Sequence, residues 1–565
     1  MTSASTEGNA KPKGRRRRFV VAFVVALGVV ALVYPRHDPV REKVDKLFDP
    51  GRLPATGQIE PAMMEELIDL GPEVIPHLIE KARAPSKLER AYRKLYDALP
   101  EKLTRRLPRP ADDEVVRGFA VRVIIELGPL AVRQAAPEVI AAVNEPGPVP
   151  PEIAMGALAW LLPESDAALQ ALRHRLQSTN RGPRLPFVGS LGDKVWPELP
   201  QLVPELTALL SHPTHGSYAA MALGQVGSNA SAAVPALIKV LEQPAILPAP
   251  TTPSKVAGIV RRDNRRDRAA YALGNIGFAA PEVINVLAKA WNDADKQVRQ
   301  YAAHAAGKLG PAMAPVVPQL LAGLSETDNV VLSAKLHAIG KVGPAAREAL
   351  GKLHELSDQE KLVAQVANTK SSGTSYDVRS LSVAARVAIC RIDPQQVPEQ
   401  LKPIIDDFGV GTPPEVMKFL SELKSDSTYV IGRMETLLAD PKCACRPLAG
   451  SVILHHNPSH ADALRLYEAL VESGPLAHRI HPASWLFKFT GRTEHPLALI
   501  SEGLASSEGQ VGQSALTLAG NLGPAARPAI PAIKGALWHK DRYVRENAGL
   551  WLRQYAPEEL PPIRN

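Results

Sequence analysis

Apolar side chains recur at helical spacing through the stretch PEVINVLAKAWNDADKQVRQYAAHAAGKLG, residues 281–310. Two sets of positions three or four residues apart carry small or aliphatic side chains: Val283, Val286, Leu287 and Ala290, then Val298, Ala302, Ala305 and Leu309. This spacing places each set on one face of an α-helix. The pattern therefore predicts one helix over residues 281–291 and a second over 296–308, with Asp293 or Asp295 as the cap of the second.

The same helical pair recurs along the chain. The phrases LGPAMAPVVPQLLAGL (309–324) and LGPAARPAIPAIKGAL (522–537) share seven of sixteen positions, and Gly277, Gly310 and Gly343 follow one another at a constant interval. A glycine suits the left-handed position just after a helix, and the proline that follows it cannot continue that helix. The phrase therefore marks the end of one helix and the start of the next, and a period of about 33 residues predicts a solenoid.

The recurring residues resemble a known family. The series Asp293, Asp295, Val298, Arg299, Gly307 and Gly310, repeated in part as Asp541, Val544 and Arg545, resembles HEAT-like repeats, especially the short kind also seen in phycobilin lyases. The resemblance covers roughly residues 56–560 and implies an all-α fold, an α-α superhelix. It also implies that Arg299, Arg379 and Arg545 cross-link adjacent repeats. Tetratricopeptide and ankyrin repeats share the period, but their signature residues are missing here.

One long apolar run precedes the repeats. The sixteen residues FVVAFVVALGVVALVY (19–34) carry no charge and follow four consecutive arginines. As a helix they would span about 24 Å, which basic and aromatic side chains at the two ends can extend to the membrane interfaces. The excess of basic residues before the run predicts a transmembrane anchor with a cytoplasmic N-terminus. A cleaved signal peptide, which would release a secreted protein, and a buried soluble helix are the alternatives.

The chain is therefore divided as follows: a basic tail at 1–18, the anchor or signal at 19–34, a linker at 35–55, and a solenoid at 56–560 with insertions near 84–113, 244–266 and 366–377. We expect the solenoid to lie outside the cytoplasm, in the periplasm if the cell is Gram-negative.

Composition supports helices and argues against nucleic acid as a partner. Apolar residues make up 45% of the chain and aromatic residues only 5%, which favours helices over strands. The 52 prolines are expected at helix starts and boundaries. The net charge is +8, but the tail at 1–18 supplies +5 of it, so the rest of the chain carries only +3. A nucleic-acid binder more often has a concentrated basic face in its folded part.

Candidate binding residues come from aligned repeats and from an insertion. Superposing the repeats aligns Tyr271 with His304 and His337, and four residues later Asn275 with Lys308 and Lys341. These positions lie outside the apolar stripe, so they are predicted to line the concave surface; ordinary solvation is the alternative. The second insertion leads into Arg261, Arg262, Arg265 and Arg266, which are candidates for contact with an acidic partner or simply a solvated helix start.

Two further features are weaker candidates. The first insertion is basic and carries Tyr92 and Tyr96 at helical spacing, which is typical of an amphipathic hairpin and allows docking to anionic lipid. A cysteine and histidine cluster runs from residue 443 to 481, formed by Cys443, Cys445, His455, His456, His460, His478 and His481. Cys445 and His456 are eleven residues apart on one predicted helix, about 16 Å, which is too far for shared tetrahedral coordination. No metal site is predicted.

No catalytic constellation or cofactor motif stands out. Deoxyhypusine hydroxylases hold iron with several His-Glu pairs on a HEAT-like array, whereas this chain has only His354-Glu355. The sequence therefore predicts a non-enzymatic, membrane-anchored scaffold of the cell envelope that binds a protein partner on its concave face and insertions. The alternative is an enzyme or accessory factor that binds a small ligand, polymer or metal there.

Overall fold

The computed structural model of the chain describes residues 38–49, 53, 58–83, 87–100, 104, 114–144, 149, 151–177, 198–213, 215–244, 264–365, 378–406, 408–409, 412, 414–423 and 427–564. Within these ranges the regular secondary structure is entirely helical, as the sequence predicted. The proposed anchor at 19–34 lies outside them. So do most of the second insertion and the predicted loop at 366–377.

The helices follow one another in pairs, and short turns join the members of a pair where no insertion lies between them. Those of the first half of the chain are α1 Pro39–Leu47, α2 Pro61–Asp69, α3 Val74–Ala82, α4 Lys87–Ala98, α5 Glu114–Leu127, α6 Pro129–Gln134, α7 Ala136–Asn144, α8 Pro151–Ala157, α9 Asp166–Gln177, α10 Val203–Leu209, α11 Gly216–Val226, α12 Val234–Leu241, α13 Arg265–Ile276, α14 Pro281–Ala290 and α15 Lys296–Leu309.

Those of the second half are α16 Val317–Ala322, α17 Asn329–Val342, α18 Leu350–Ser357, α19 Gln359–Gln365, α20 Val378–Ile392, α21 Val397–Asp406, α22 Pro414–Glu422, α23 Ser427–Ala439, α24 Arg446–His456, α25 Ala461–Glu472, α26 Leu476–Thr490, α27 Glu494–Ala505, α28 Gly509–Leu522, α29 Ile530–Ala536 and α30 Arg542–Tyr555. Short 3₁₀ turns connect several of them, for example Gly310–Val316 and Gly523–Ala529.

The helix boundaries of the central repeat confirm the sequence pattern. α14 and α15 end within one residue of the predicted bounds, and Asp295 is the cap, since its Oδ1 accepts a hydrogen bond of 2.8 Å from the Gln297 N–H. Gly277, Gly310 and Gly523 all have positive φ, at 69°, 52° and 56°. The positive φ favours glycine at all three turns, but only Gly277, with ψ at 16°, has the predicted left-handed helical conformation; Gly310 and Gly523 have ψ at −121° and −128°.

The expectation for prolines is wrong at two positions. Many prolines begin a helix, as Pro281 does in α14. Pro403 and Pro482, however, lie inside α21 and α26. Because proline has no N–H, each removes one hydrogen bond from its helix, and packing of the amphipathic face outweighs that local loss.

The second helices of successive repeats pack more closely than the first helices do. A Cβ placed on Gly274 of α13 would lie 2.6 Å from the Ala305 Cα of α15, and one on Gly340 of α17 would lie 3.0 Å from the Ala388 Cα of α20. Glycine facing alanine allows this approach because neither side chain keeps the helix axes apart. The closer spacing of the second helices curves the array, so these helices form its inner, concave face.

We expect Gly274→Ala to destabilise the protein by about 1–3 kcal/mol, because the added methyl overpacks the contact with Ala305. Gly432→Ala is the matched control. A Cβ at Gly432 of α23 meets nothing within 4 Å, so the better helix propensity of alanine should stabilise by about 1 kcal/mol. Urea unfolding followed by circular dichroism measures both. Equal effects of the two substitutions would contradict the close approach of α13 and α15.

Ion pairs connect adjacent repeats on the side of the turns between first and second helices. Arg299 of α15 binds both carboxylate oxygens of Glu326 in the next repeat, at 2.7 and 3.2 Å, and also donates to the Asp293 carbonyl of its own repeat. Lys335, only 1% exposed, donates to Glu326 and to the Gly323 carbonyl, both at 3.1 Å. The predicted inter-repeat role of Arg299 is thus confirmed.

The array closes on itself through its last repeat. α30 packs against α5 and α6, and a Cβ on Gly549 would lie 2.5 Å from the Pro129 Cγ. Arg545 donates to the carbonyls of Glu126 and Leu127 at 2.6 and 3.1 Å. Arg545 therefore joins the two ends of the solenoid, which differs from its predicted role between consecutive repeats.

Further contacts extend this closure along the ends of the N-terminal helices. Trp538 Nε1 donates to the Ile68 carbonyl at 2.6 Å, and Arg553 donates to the Ala159 carbonyl at 2.7 Å. Arg133 donates in turn to the Pro561 carbonyl at 2.7 Å. Carbonyls at the carboxyl end of a helix lack partners within that helix and carry partial negative charge. Arginine and tryptophan side chains of the last repeat supply those partners.

Candidate functional site

A cavity of about 170 Å³ opens on the inner face of the second helices. It is shared by α15, α17, α20 and α22, which are consecutive second helices of the array. Its apolar wall is formed by Val330, Ala334, Leu336, Ala384, Val387, Ala388 and Val416, and its polar lining by Gln300, His304, Ser333, His337, Ser380 and Arg391. A cavity of this size holds one group about as large as benzene.

Two predicted residues, His304 and His337, lie together in this cavity. They come from neighbouring second helices, α15 and α17, at equivalent positions of successive repeats. His304 is exposed and His337 is half-buried. The alignment of repeats therefore identified part of the cavity lining before the fold was known.

The second predicted pair, Lys308 and Lys341, continues along the same face. Lys308 donates a hydrogen bond to Asn275 of the preceding repeat and lies 5.9 Å from the ring centre of Tyr271. Lys341 lies near Arg391 and Lys418. Burial and the positive charges of these two neighbours hold the pKa of Lys341 below its ordinary value.

The sequence alignment missed Arg391, which belongs to the same series. It follows Lys341 by one period plus the inserted loop, so removing the insertion would have aligned it with Lys308 and Lys341. Arg391 lines the cavity, lies 3.8 Å from the Glu422 carboxylate and lies over the Phe419 ring. The insertion in this repeat hid its position.

Aromatic side chains flank the cavity on the N-terminal side. Tyr271 and Tyr301 meet edge to face with ring centres 6.1 Å apart, and Tyr301 meets His304 in the same way at 6.3 Å. Arg268 donates to the Tyr301 hydroxyl at 2.9 Å. The inner face here combines rings with cationic groups, a surface suited to peptide side chains and carboxylates.

The predicted arginine cluster has a different role where it is described. Arg261 and Arg262 lie outside the described residues. Arg265 is 8% exposed and donates to the Ser211 carbonyl at 3.0 Å. Arg266 binds the Asp293 carboxylate of the next repeat and the Leu241 carbonyl. Arg265 and Arg266 therefore connect neighbouring repeats. The series of basic residues in the sequence does not by itself reveal these contacts.

A second cluster on the inner face lies further along the array, on α24 and α26. Trp485 and Phe489 stack with ring centres 5.6 Å apart, and His455 meets both rings edge to face. Lys488 lies 4.7 Å from the Trp485 ring centre and donates to His455 Nε2 at 3.0 Å. Trp485 occupies the same position before its turn glycine as His337 does in its own repeat. Phe489 corresponds in the same way to Lys341.

The cysteine and histidine side chains around residue 450 are spread over separate contacts. His456 bonds the Leu420 carbonyl at 2.8 Å, and His460 caps α25 by accepting from the Ala463 N–H. Burial, with a hydrogen bond to Cys443, raises the pKa of Cys445 to about 11. Among the residues that the structure describes, no three His, Cys, Asp or Glu side chains converge as they would around a metal ion.

Comparison with known families supports the repeat assignment. Residues 261–340, which include α13 to α16 and most of α17, match the family model of HEAT repeats. Comparison of the whole sequence with curated proteins gave no significant match.

Two solved structures match the chain at low sequence identity. Yeast importin-beta is 12% identical, with 93% of this chain and 80% of that chain covered and a TM-score of 0.43. The complex of CpcE and CpcF of phycocyanin lyase from Nostoc is 18% identical, with 51% of this chain and 94% of that chain covered and a TM-score of 0.29. These likenesses concern the fold alone.

In the part of the chain that the structure describes, the helices are too short or too polar to cross a bilayer. The predicted anchor at 19–34 lies outside that part, so it stays a prediction.

Proposed function

We propose that this protein is a scaffold that binds a segment of another protein on the inner face of its HEAT-like solenoid. The observation that carries this proposal is the cavity shared by α15, α17, α20 and α22. Most side chains of these helices stack against neighbouring repeats, whereas His304 and His337 point into a concave space with apolar walls. Concave sites of this kind suit one anchoring side chain with a few polar contacts around it.

The scaffold proposal predicts that inner positions contact a partner and outer positions do not. p-Benzoylphenylalanine in place of His337 should give a discrete, light-dependent protein adduct in intact cells. The same amino acid in place of Lys289, a side chain 78% exposed on first helix α14, should give none or a different pattern. A gel shift detects the adduct, and mass spectrometry identifies the protein in it. Absence of any adduct from both His304 and His337 would contradict the proposal.

We further propose that residues 19–34 hold the protein in the membrane with the solenoid outside the cytoplasm. The uncharged run of sixteen residues after a basic tail supports this placement. Alkaline phosphatase fused after residue 60 should be active. Green fluorescent protein fused at the same position and exported by the Sec pathway should be non-fluorescent. The opposite pair of results would place the solenoid in the cytoplasm and leave the scaffold proposal standing.

A further inference from the structure

The four helices around the cavity differ in charge: α22 carries Glu415 and Glu422, whereas the other three are cationic. α15, α17 and α20 contain no aspartate or glutamate, and together they carry eight lysines and arginines. Several of these are engaged in ion pairs, as Arg299 is with Glu326 of the next repeat and Lys335 is with Glu326 of its own repeat. Lys308, Lys341 and Arg391 instead follow the inner face beside the cavity, one from each helix.

Two cations at the far end of the cavity lie beside the same carboxylate. Arg391 and Lys418 each lie 3.8 Å from the same carboxylate, that of Glu422. Burial lowers the pKa of Lys341, and the positive charges of Arg391 and Lys418 lower it further. Like charges this close repel one another, and an added anion would relieve that repulsion.

We propose that this site, if the scaffold function above holds, receives an acidic segment of the partner, with one apolar side chain in the cavity and neighbouring carboxylates on Lys341, Arg391 and Lys418. Val330, Val387 and Val416 supply the apolar wall for the anchoring side chain. The cavity volume suits a single leucine, methionine or phenylalanine side chain, and the cations beside the cavity select carboxylates in residues close to that side chain.

The geometry also sets the length of the segment. Neighbouring helices pack about 8–10 Å apart, so α17, α20 and α22, which carry Lys341, Arg391 and Lys418, span roughly 20 Å. An extended peptide advances about 3.3 Å per residue, so about six residues cross this distance. A short extended acidic stretch therefore matches the site better than a folded surface does.

Peptide binding to the full chain in non-ionic detergent tests this inference. The probe is a nonapeptide with a neutral dye, in which one leucine is flanked by two glutamates on each side. Replacing the four glutamates by glutamines should weaken binding, measured by fluorescence anisotropy at low salt, by about tenfold or more. Replacing the leucine by alanine should weaken it by about tenfold. Equal binding of the glutamate and glutamine peptides would overturn the proposal.

Variants locate the binding site. The double variant Lys341→Gln and Lys418→Gln should bind the glutamate peptide about tenfold more weakly than the wild type does. Its affinity for the glutamine peptide should be unchanged. The matched control removes the same charge from two exposed lysines of first helices, Lys239→Gln with Lys289→Gln, and should change neither affinity. Ser333→Leu fills the cavity, so it should abolish the difference between the leucine and alanine peptides while the glutamate dependence remains.

Competitors separate this occupant from other anions. If heparin, an oligonucleotide or phosphatidylglycerol vesicles bind these lysines as tightly as the peptide does, and leucine makes no difference, the site is a general polyanion surface and the proposal is wrong. If no acidic peptide binds but the crosslinker in place of His337 still captures a protein, the proposal of an acidic segment is wrong and the scaffold proposal stands. Absence of crosslinks from the inner face would instead refute the scaffold function itself.

Discussion

Replacing Glu326 by alanine is expected to lower the free energy of unfolding of the central repeats by about 3–5 kcal/mol. Glu326 is the carboxylate that lies between Arg299 and the buried ammonium group of Lys335. Its loss leaves Lys335 charged at a site that is 1% exposed, where the Gly323 carbonyl accepts a hydrogen bond but supplies no countercharge. Arg299 loses its link to the next repeat at the same time.

Hydrogen exchange and urea unfolding measure this effect. Amide exchange should rise in α15 and α17 first, because a repeat protein is stabilised by contacts between neighbouring repeats. Glu348→Ala is the matched control, since Glu348 is an exposed glutamate of the following repeat and its removal should change stability by less than about 0.5 kcal/mol. Similar effects of the two substitutions would show that the ion cluster does not hold the repeats together.

The same cluster predicts a pH dependence. Burial opposes ionisation of Glu326, but hydrogen bonds from Arg299 and the Asp328 N–H, with the charge of Lys335, outweigh it and hold the pKa of Glu326 below its ordinary 4.5. A depressed pKa contributes stability that is complete above the ordinary value and is lost as the pH falls through the folded-state value. The difference in stability between wild type and Glu326→Gln should therefore shrink on acidification from pH 7 to pH 3.

Arg545→Ala is expected to open the closed array and to destabilise the last repeat by about 3 kcal/mol. Arg545 is 2% exposed and donates to four carbonyls, those of Glu126 and Leu127 on one end of the chain and those of His539 and Lys540 on the other. Alanine leaves the buried Leu127 carbonyl and three part-buried carbonyls without their donor. The contact between α30 and α5 then loses its central polar link.

Small-angle X-ray scattering measures the opening as a larger maximum dimension, and hydrogen exchange should increase at residues 127–134 and in α30 together. Arg465→Ala is the control, because Arg465 is 73% exposed and pairs with a nearby aspartate of its own helix. A variant at Arg545 that unfolds locally but keeps its dimensions would show that Trp538 and Arg553 suffice to keep the ends together.

Much of the inner site could be predicted from the sequence, since it follows the repeat period. His304 and His337 aligned when the repeats were superposed, and the structure places both in one cavity. Arg391 was missed because the insertion before α20 displaces it from that period. Arg265 and Arg266 were grouped with other arginines by their position in the chain, but their contacts with Ser211 and Asp293 arise only when repeats stack.

The sequence by itself determined the helical repeats and the helix bounds of the central repeat, and it limited the cap of α15 to Asp293 or Asp295. Apolar spacing, turn glycines and capping side chains act within a few residues, so local rules suffice to this extent. Only the tertiary structure decided that the array closes, because Arg545 meets Glu126 and Leu127 from the opposite end of the chain. The same holds for the cavity, whose walls come from four helices: curvature sets their distance, and no single segment of sequence encodes it.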